Sequence, residues 1–197
     1  IDFKDLEMTI EKGLKEIQYI IDASEQMKKF ELVQSDLETA ARIQQKILPQ
    51  DFPAFPNRKE FDIYGEMHTA KQVGGDFYDF FFIDDHKLGF VIGDVSGKGV
   101  PASIYMAVSR TMLKAIASQI EDPAECLQTV NTMLIPESDI TTFVTVFYGV
   151  LDTNTGLVRY ANGGHNLPYI VRANGTVEEI ENTEGLLLGK IENIEYE

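Results

Sequence analysis

The hydrophobic positions in the first quarter of the chain recur every three or four residues, the spacing of one face of an α-helix. Residues 3–48 contain no proline and only one glycine. A first seam of apolar or small residues runs through Leu6, Ile10, Gly13, Ile17, Ile20, Ser24 and Met27. A second seam, out of phase with the first, runs through Phe30, Val33, Leu37, Ala40, Gln44 and Ile47. The pattern predicts one long helix that ends at Pro49, with a break in the seam near Met27 to Phe30. Such a helix is typical of a two-stranded coiled coil or a signalling linker, the alternative being a helix folded back on its own domain.

The rest of the chain has the shorter alternation of β-strands, interrupted by two helical stretches. Strands are predicted over residues 61–67, 76–83, 87–94, 142–152 and 157–163, and as a hairpin within 167–180. Helices are predicted over residues 101–117, with Pro101 in the first turn, and over 123–134, with Asp122 as N-cap. Strands, two helices and then strands indicate an α+β layered fold with antiparallel sheets rather than a parallel βαβ fold.

Composition narrows the class of protein. A chain of 197 residues, 44% hydrophobic, suits one globular domain and an additional element. The formal net charge of -15 argues against a nucleic-acid partner, because such a chain repels phosphate backbones. The single cysteine, Cys126, excludes an internal disulfide, suits a reducing compartment and is expected in the core. No apolar run approaches the ~20 residues of a membrane span. The chain begins at Ile1 without Met, as expected of an excised segment.

Two aspartates stand where apolar strands end, each beside a glycine. If residues 84–86 form the tip of a hairpin, Asp76 and Asp94 lie directly opposite each other. Opposed cross-strand residues have Cβ atoms ~4.5–5.5 Å apart. Two carboxylates that close repel, so one takes up a proton or a cation lies between them, and a hard divalent ion such as Mg²⁺ or Mn²⁺ suits oxygen ligands. The alternative is a pair of turn or cap aspartates, as expected of Asp84 and Asp85 at the tip itself.

Five motifs in one order resemble a known family. They are "ARIQQKILP" (41–49), "VGGDFYD" (73–79), "GDVSGKGVPAS" (93–103), "FVTVFYGVLD" (143–152) and "ANGGHNLPY" (161–169). Together they resemble the SpoIIE/RsbU branch of the PPM (protein phosphatase 2C-like) metal-dependent Ser/Thr phosphatases. The resemblance implies an α-β-β-α sandwich with antiparallel sheets flanked by helices. It also implies two parts, a linker or coiled-coil helix over residues 1–48 and a PPM-type phosphatase domain over 49–197.

The resemblance also implies a site. Asp94 matches the aspartate that bridges two Mn²⁺ or Mg²⁺ ions, Val95 the residue whose backbone carbonyl is a ligand, and Asp76 an acid that binds a metal directly or through water. In this family the metals activate a water that attacks the phosphoserine or phosphothreonine phosphorus. Lys71 lies where distant members have a phosphate-binding arginine, although an exposed surface lysine is the plainer interpretation. His165 matches a motif, as a structural loop histidine or a general acid.

The family's known members suggest what the whole protein does. The expected activity is that of a protein-serine/threonine phosphatase in cytoplasmic partner-switching, sigma-factor-regulating signalling, acting on a phosphorylated STAS-type anti-sigma-factor antagonist. The same resemblance predicts an upstream sensory or receiver module and a homodimer formed through the N-terminal helix. It is also compatible with a cytoplasmic domain of a larger, membrane-attached sensor protein. The alternative is an inactive signalling scaffold or dimerisation module.

One departure from the family supports that alternative. Relatives continue beyond Gly189 to aspartates that complete the metal site, whereas this chain ends at Glu197. Either the segment is truncated, or it is a natural domain that has lost these aspartates and its activity. The last residues resemble an interrupted strand, which favours truncation. In either case we expect this segment to hold metal poorly and to turn over slowly.

Overall fold

The computed structural model describes residues 3–139 and 141–197. The chain divides into two compact units, residues 1–41 and 42–197. The predicted long helix is confirmed as α1, Phe3–Ile47, and its backbone is continuous across Met27 to Phe30. The first two residues of the predicted helical part lie outside the described residues. Along the part of the chain that the structure describes, no helix combines the length and apolar character that a membrane crossing requires.

The remaining elements follow the predicted order. The strands are β1 (Phe77–Phe82), β2 (Lys87–Val95), β3 (Val144–Asp152), β4 (Val158–Gly163), β5 (Tyr169–Val171) and β6 (Val177–Glu179). The helices are α2 (Val100–Ala117) and α3 (Pro123–Leu134), followed by a short 3-10 turn over Ile135–Glu137. Asp122 caps α3 as predicted, because its side chain accepts from the backbone N–H groups of Ala124 and Glu125. The resulting α+β fold with antiparallel sheets agrees with the predicted fold class.

Strands β1 to β4 form one antiparallel sheet in the order β1-β2-β3-β4, and β5 and β6 form a separate two-stranded sheet. Side chains alternate between the two faces of the larger sheet. One face packs with α2 and α3 in a core that includes Phe77, Val95, Met106, Leu127 and Tyr148. Cys126 lies in this core with no exposed surface, as predicted. The other face carries Asp76 and Asp94 at its edge, so the site lies on the side of the sheet away from the helices.

Two expectations for local structure were wrong. Residues 61–67 form no strand, although their burial still alternates along the segment. The alternating burial comes from an extended segment that lies on the domain without pairing with a strand. Within this segment, the ring of Phe61 packs edge-on against Phe55. Residues 190–197 also carry no regular structure, so the predicted interrupted strand is absent from them.

Candidate active site

The hairpin of β1 and β2 has the predicted register. Phe77 pairs with Gly93, and beyond β1 the N–H of Val95 donates to the carbonyl of Gly75 at 3.4 Å. Asp76 therefore lies opposite Asp94, between the pair of Phe77 with Gly93 and the contact of Gly75 with Val95. Their carboxyl groups are within hydrogen-bonding reach of each other. Partial burial and the neighbouring Asp76 carboxyl raise the pKa of Asp94 to about 6.

The carbonyl of Val95 lies close to the backbone at position 75, which is glycine. A Cβ atom on Gly75 would lie 2.7 Å from the carbonyl oxygen of Val95 and 3.1 Å from its Cβ. Any larger residue would force the two backbones apart. Two carboxylates and a carbonyl supply only oxygen donors, which is the ligand chemistry of Mg²⁺ and Mn²⁺. The opposed carboxyl groups of Asp76 and Asp94 fit a hard divalent cation.

A cavity of about 280 Å³ opens at the acidic pair. It is lined by Glu66, Met67, His68, Asp76, Phe77, Tyr78, Ile92, Gly93, Asp94 and His165. Within the described residues, no group of three or more His, Cys, Asp or Glu side chains has an arrangement that could hold a metal ion. A cation at this site would therefore complete its coordination with water or with a substrate oxygen.

The loop that precedes Asp76 is held by Gln44, near the end of α1. The Gln44 Nε2 donates to the carbonyl of Gly74 at 2.6 Å, and its Oε1 accepts from the N–H of Gly74 at 3.0 Å. Gln44 is only 5% exposed. A side-chain amide that pairs with both the N–H and the carbonyl of one residue fixes the position of that backbone. This contact was not predicted from the sequence, although the place of Gln44 within an apolar seam was a signal for it.

The loop that follows Asp94 is tied to residues 141–143. The N–H of Ser96 donates to the carbonyl of Phe143 at 2.9 Å. The Ser96 hydroxyl donates to the carbonyl of Thr141 at 2.8 Å and accepts from the N–H of Phe143 at 3.0 Å. The loop before Asp76 and the loop after β2 are thus both positioned by contacts distant in the sequence.

Lys71 and His165, also singled out in the sequence, and Asp79, which ends the motif of residues 73–79, lie in different surroundings. Lys71 is exposed in the loop before Asp76 and is not among the residues that line the cavity. His165 lines the cavity, and its Nδ1 lies 3.0 Å from Thr145 Oγ1. Asp79 points to the opposite face, where its carboxylate is 2.6 Å from Arg110 and 3.4 Å from Lys114. A structural role for Asp79 follows from this.

A family model described as Stage II sporulation protein E (SpoIIE) matches residues 84–197, more than half of the chain. The chain belongs to the SpoIIE family. Phosphoserine phosphatase RsbU of Bacillus subtilis is 28% identical to this SpoIIE-family chain over 165 residues, covering 83% of the chain and 48% of RsbU. The chain spans about half or less of the length of the curated relatives it matches.

Solved structures agree with the family assignment. The SiaA-PP2C domain of Pseudomonas aeruginosa superposes with a TM-score of 0.66 at 20% identity, covering 85% of this chain and 65% of that one. The RsbU and RsbW domains of Rv1364c from Mycobacterium tuberculosis give a TM-score of 0.56 at 29% identity, covering 65% of this chain and 36% of that one. The predicted PP2C-like fold and the SpoIIE/RsbU resemblance are both confirmed.

Proposed function

We propose that residues 49–197 of this SpoIIE-family chain form a metal-dependent phosphatase domain that hydrolyses phosphoserine or phosphothreonine on a protein. The observation that carries the proposal is the directly opposed pair Asp76 and Asp94 at the edge of the sheet. The name of RsbU, a phosphoserine phosphatase, supports the same reaction class. The proposed substrate is a phosphorylated STAS-type antagonist of an anti-sigma factor, within partner-switching signalling.

The carboxylates of Asp76 and Asp94 and the carbonyl of Val95 would hold two Mn²⁺ or Mg²⁺ ions. When bound, such ions polarise the phosphoryl group and lower the pKa of a bound water. A cation between the two side chains would offset the repulsion between their carboxylates. Gly75 leaves the Val95 carbonyl uncovered, and Gln44 holds the adjoining peptide. Lys71, exposed in the same loop, would attract the substrate phosphate.

Mn²⁺-dependent release of phosphate from a phosphoserine peptide tests the proposal. The chain is assayed beside the complete gene product that contains it, since its relatives are longer. Asp94→Asn is expected to abolish the Mn²⁺-dependent rate in whichever form is active. Asp85→Asn, which removes the same charge from the exposed hairpin tip, is the matched control and should retain activity.

A scaffold function is the second candidate. It is favoured by the finding that the described residues include no group of three or more His, Cys, Asp or Glu side chains that could hold a metal ion. If the protein releases no phosphate with Mn²⁺ but binds a phosphorylated STAS-type protein, the result would support the scaffold function and contradict the enzymatic one. Protein that neither hydrolyses nor binds would overturn both candidates.

We also propose that residues 1–48 link the phosphatase domain to an upstream sensory or receiver module and pair with a second copy as a coiled coil. The first seam is exposed along a single chain, with Leu6 at 48%, Ile17 at 56% and Ile20 at 65%. Burying such a seam against its copy removes apolar surface from water. The last helical turn then offers a route for a signal to reach the loop that Gln44 holds.

Sedimentation of the chain tests the pairing. Ile17→Lys on the seam should shift a dimer towards monomer, whereas Gln18→Lys, next to it but off the seam, should not. Deleting residues 1–36 should remove both the dimer and the regulation of the complete protein. Unchanged oligomeric state and regulation after that deletion would contradict the linker role.

A further inference from the structure

The loop that carries His165 is anchored beside the acidic pair by a buried amide. The backbone N–H of His165 donates to Asn162 Oδ1 at 2.9 Å, and Asn162 Nδ2 donates to the carbonyl of His165 at 3.0 Å. Asn162 is 2% exposed, and its Nδ2 also donates to Asn182 Oδ1 at 3.0 Å. A buried amide that is bound on both sides fixes the backbone it contacts. The backbone of His165 is therefore held in one position at the cavity that this residue lines.

The contacts of Thr145 determine which ring nitrogen of His165 carries the proton. Thr145 pairs with Asp94 in the sheet, and its Oγ1 lies 3.4 Å from the Asp94 carbonyl oxygen and 3.0 Å from His165 Nδ1. A backbone carbonyl can only accept, so the single hydroxyl proton of Thr145 goes to Asp94. The Thr145 oxygen then accepts from His165 Nδ1–H, and the neutral ring has its lone pair on Nε2.

The lone pair on Nε2 has no partner within the protein. Across the described residues, no hydrogen bond to His165 Nε2 is present, and the residue is half-buried where it lines the cavity of Asp76 and Asp94. Burial lowers the pKa of His165, and the nearby Asp76 carboxylate opposes that change. The neutral ring, held through Nδ1, thus has one free hydrogen-bond acceptor at the cavity.

The chemistry of this acceptor limits what it can bind. Within the part of the chain that the structure describes, His165 forms no group with Asp76 and Asp94 that could hold a metal ion directly. At neutral pH a phosphoserine is largely a dianion, and its oxygens, including the one that bridges to the serine, offer lone pairs but no proton. Among the reactants of phosphoester hydrolysis, water is therefore the one that can donate to Nε2.

We propose that His165 Nε2 accepts a hydrogen bond from the water that attacks phosphorus and so orients that water towards the phosphoryl group. This inference rests on the phosphatase function proposed above. Catalysis of phosphoryl transfer depends largely on the position of the attacking oxygen, and a residue that orients the water is a recurring part of such sites. An acceptor that Asn162 and Thr145 hold in place supplies this orientation before the reaction begins.

The reaction balances without a change in His165. The water oxygen forms a bond to phosphorus while the bond from phosphorus to the seryl oxygen breaks. The water proton that is hydrogen-bonded to Nε2 stays on the phosphate product, and the other reaches the seryl oxygen through solvent. His165 keeps its one proton, on Nδ1, so its contribution is to orientation and not to net proton transfer.

Two substitutions at position 165 separate an acceptor from a merely structural side chain. His165→Asn keeps an amide near the place of Nδ1, within reach of Thr145, but has no atom at the place of Nε2. His165→Gln brings an amide oxygen, which is an acceptor, near the place of Nε2. The matched control is His86→Gln at the exposed hairpin tip. Each variant of the complete gene product is assayed with Mn²⁺ on a phosphoserine peptide and on p-nitrophenyl phosphate.

His165→Asn is expected to lower kcat by about 100-fold with little change in KM, the order expected when reacting atoms are misplaced by ~1 Å. The loss should be equal on the two substrates, because the same water attacks both. His165→Gln should recover most of the rate, and His86→Gln should match the wild type. An unchanged kcat in His165→Asn, a loss confined to the peptide, or no rescue by glutamine would overturn the inference. Wild-type protein inert on both substrates would instead overturn the proposed function, and the inference with it.

The tautomer of His165 provides a readout that needs no activity. The sequence has three histidines, and His165→Gln identifies the signals of His165 by removing them. Long-range ¹H–¹⁵N correlation spectra of the metal-free protein should show its proton on Nδ1 and none on Nε2. Thr145→Ser should preserve that preference, whereas Thr145→Val, which removes the acceptor for Nδ1–H, should weaken it. A ring protonated on Nε2 in the wild type would contradict the proposal, whatever the kinetics.

Discussion

Asp79 and Arg110 are the residues whose separation should damage this fold most. The Asp79 side chain is 1% exposed and that of Arg110 is 17% exposed, with 2.6 Å between Oδ2 and Nη2. Lys114, 44% exposed, adds a weaker contact at 3.4 Å. Asp79→Asn keeps the oxygen that accepts from the N–H of Phe80 but leaves the guanidinium group without its counter-ion.

The magnitude follows from burial. Removing one partner of a buried pair costs about 3–5 kcal/mol, because the other charge stays desolvated. The retained amide oxygen places Asp79→Asn at the lower end, about 3 kcal/mol. A change of that size lowers the melting temperature of a chain this long by roughly 6–12 °C. The exposed pair Arg172 and Glu178, at 2.9 Å, is the matched control, since such surface pairs contribute under about 1 kcal/mol.

Urea unfolding followed by near-UV circular dichroism of the tyrosines measures both variants. This signal comes mainly from residues 42–197, where all tyrosines except Tyr19 lie. Asp79→Asn should lower the free energy of unfolding several times more than Arg172→Gln. Equal losses in the two variants would refute the claim that burial makes this ion pair structural.

Three further results are expected. Gln44→Ala should weaken Mn²⁺ binding in calorimetry, because the N–H and the carbonyl of Gly74 each lose a hydrogen bond. Gln45→Ala, at the exposed neighbouring position, should leave the affinity unchanged. Equal affinities in the two variants would contradict the positioning role of Gln44. Burial raises the pKa of Cys126 to about 12, so native protein at pH 8 should resist a thiol reagent that reacts fully in urea, and rapid native labelling would contradict the buried placement. Hydrogen bonds from Thr142 and Thr141 lower the pKa of Asp139 to about 2. The contribution of these bonds to stability should be complete above about pH 4 and should disappear as the pH falls towards 2. A midpoint near pH 4 in an NMR titration of Asp139 would contradict this prediction.

The hairpin and its acidic pair could be predicted because both depend on local rules. A short turn determines the register, and the register determines which side chains face each other. The contacts of Gln44 with Gly74 and of Thr145 with His165 could not be predicted in this way, since they join segments 30 and 20 residues apart. Tertiary packing also decided against a strand over residues 61–67, where alternation alone favoured one.

The two carboxylates of the "GGDFYD" motif illustrate how one strand serves both stability and chemistry. Asp76 and Asp79 are an odd number of residues apart, so they face opposite sides of the sheet. A slip of one residue in the pairing of β1 would turn Asp79 away from Arg110 and Phe77 out of the core. It would also turn Asp76 away from Asp94. The ion pair on the helical face therefore favours the one register that assembles the acidic pair on the other face.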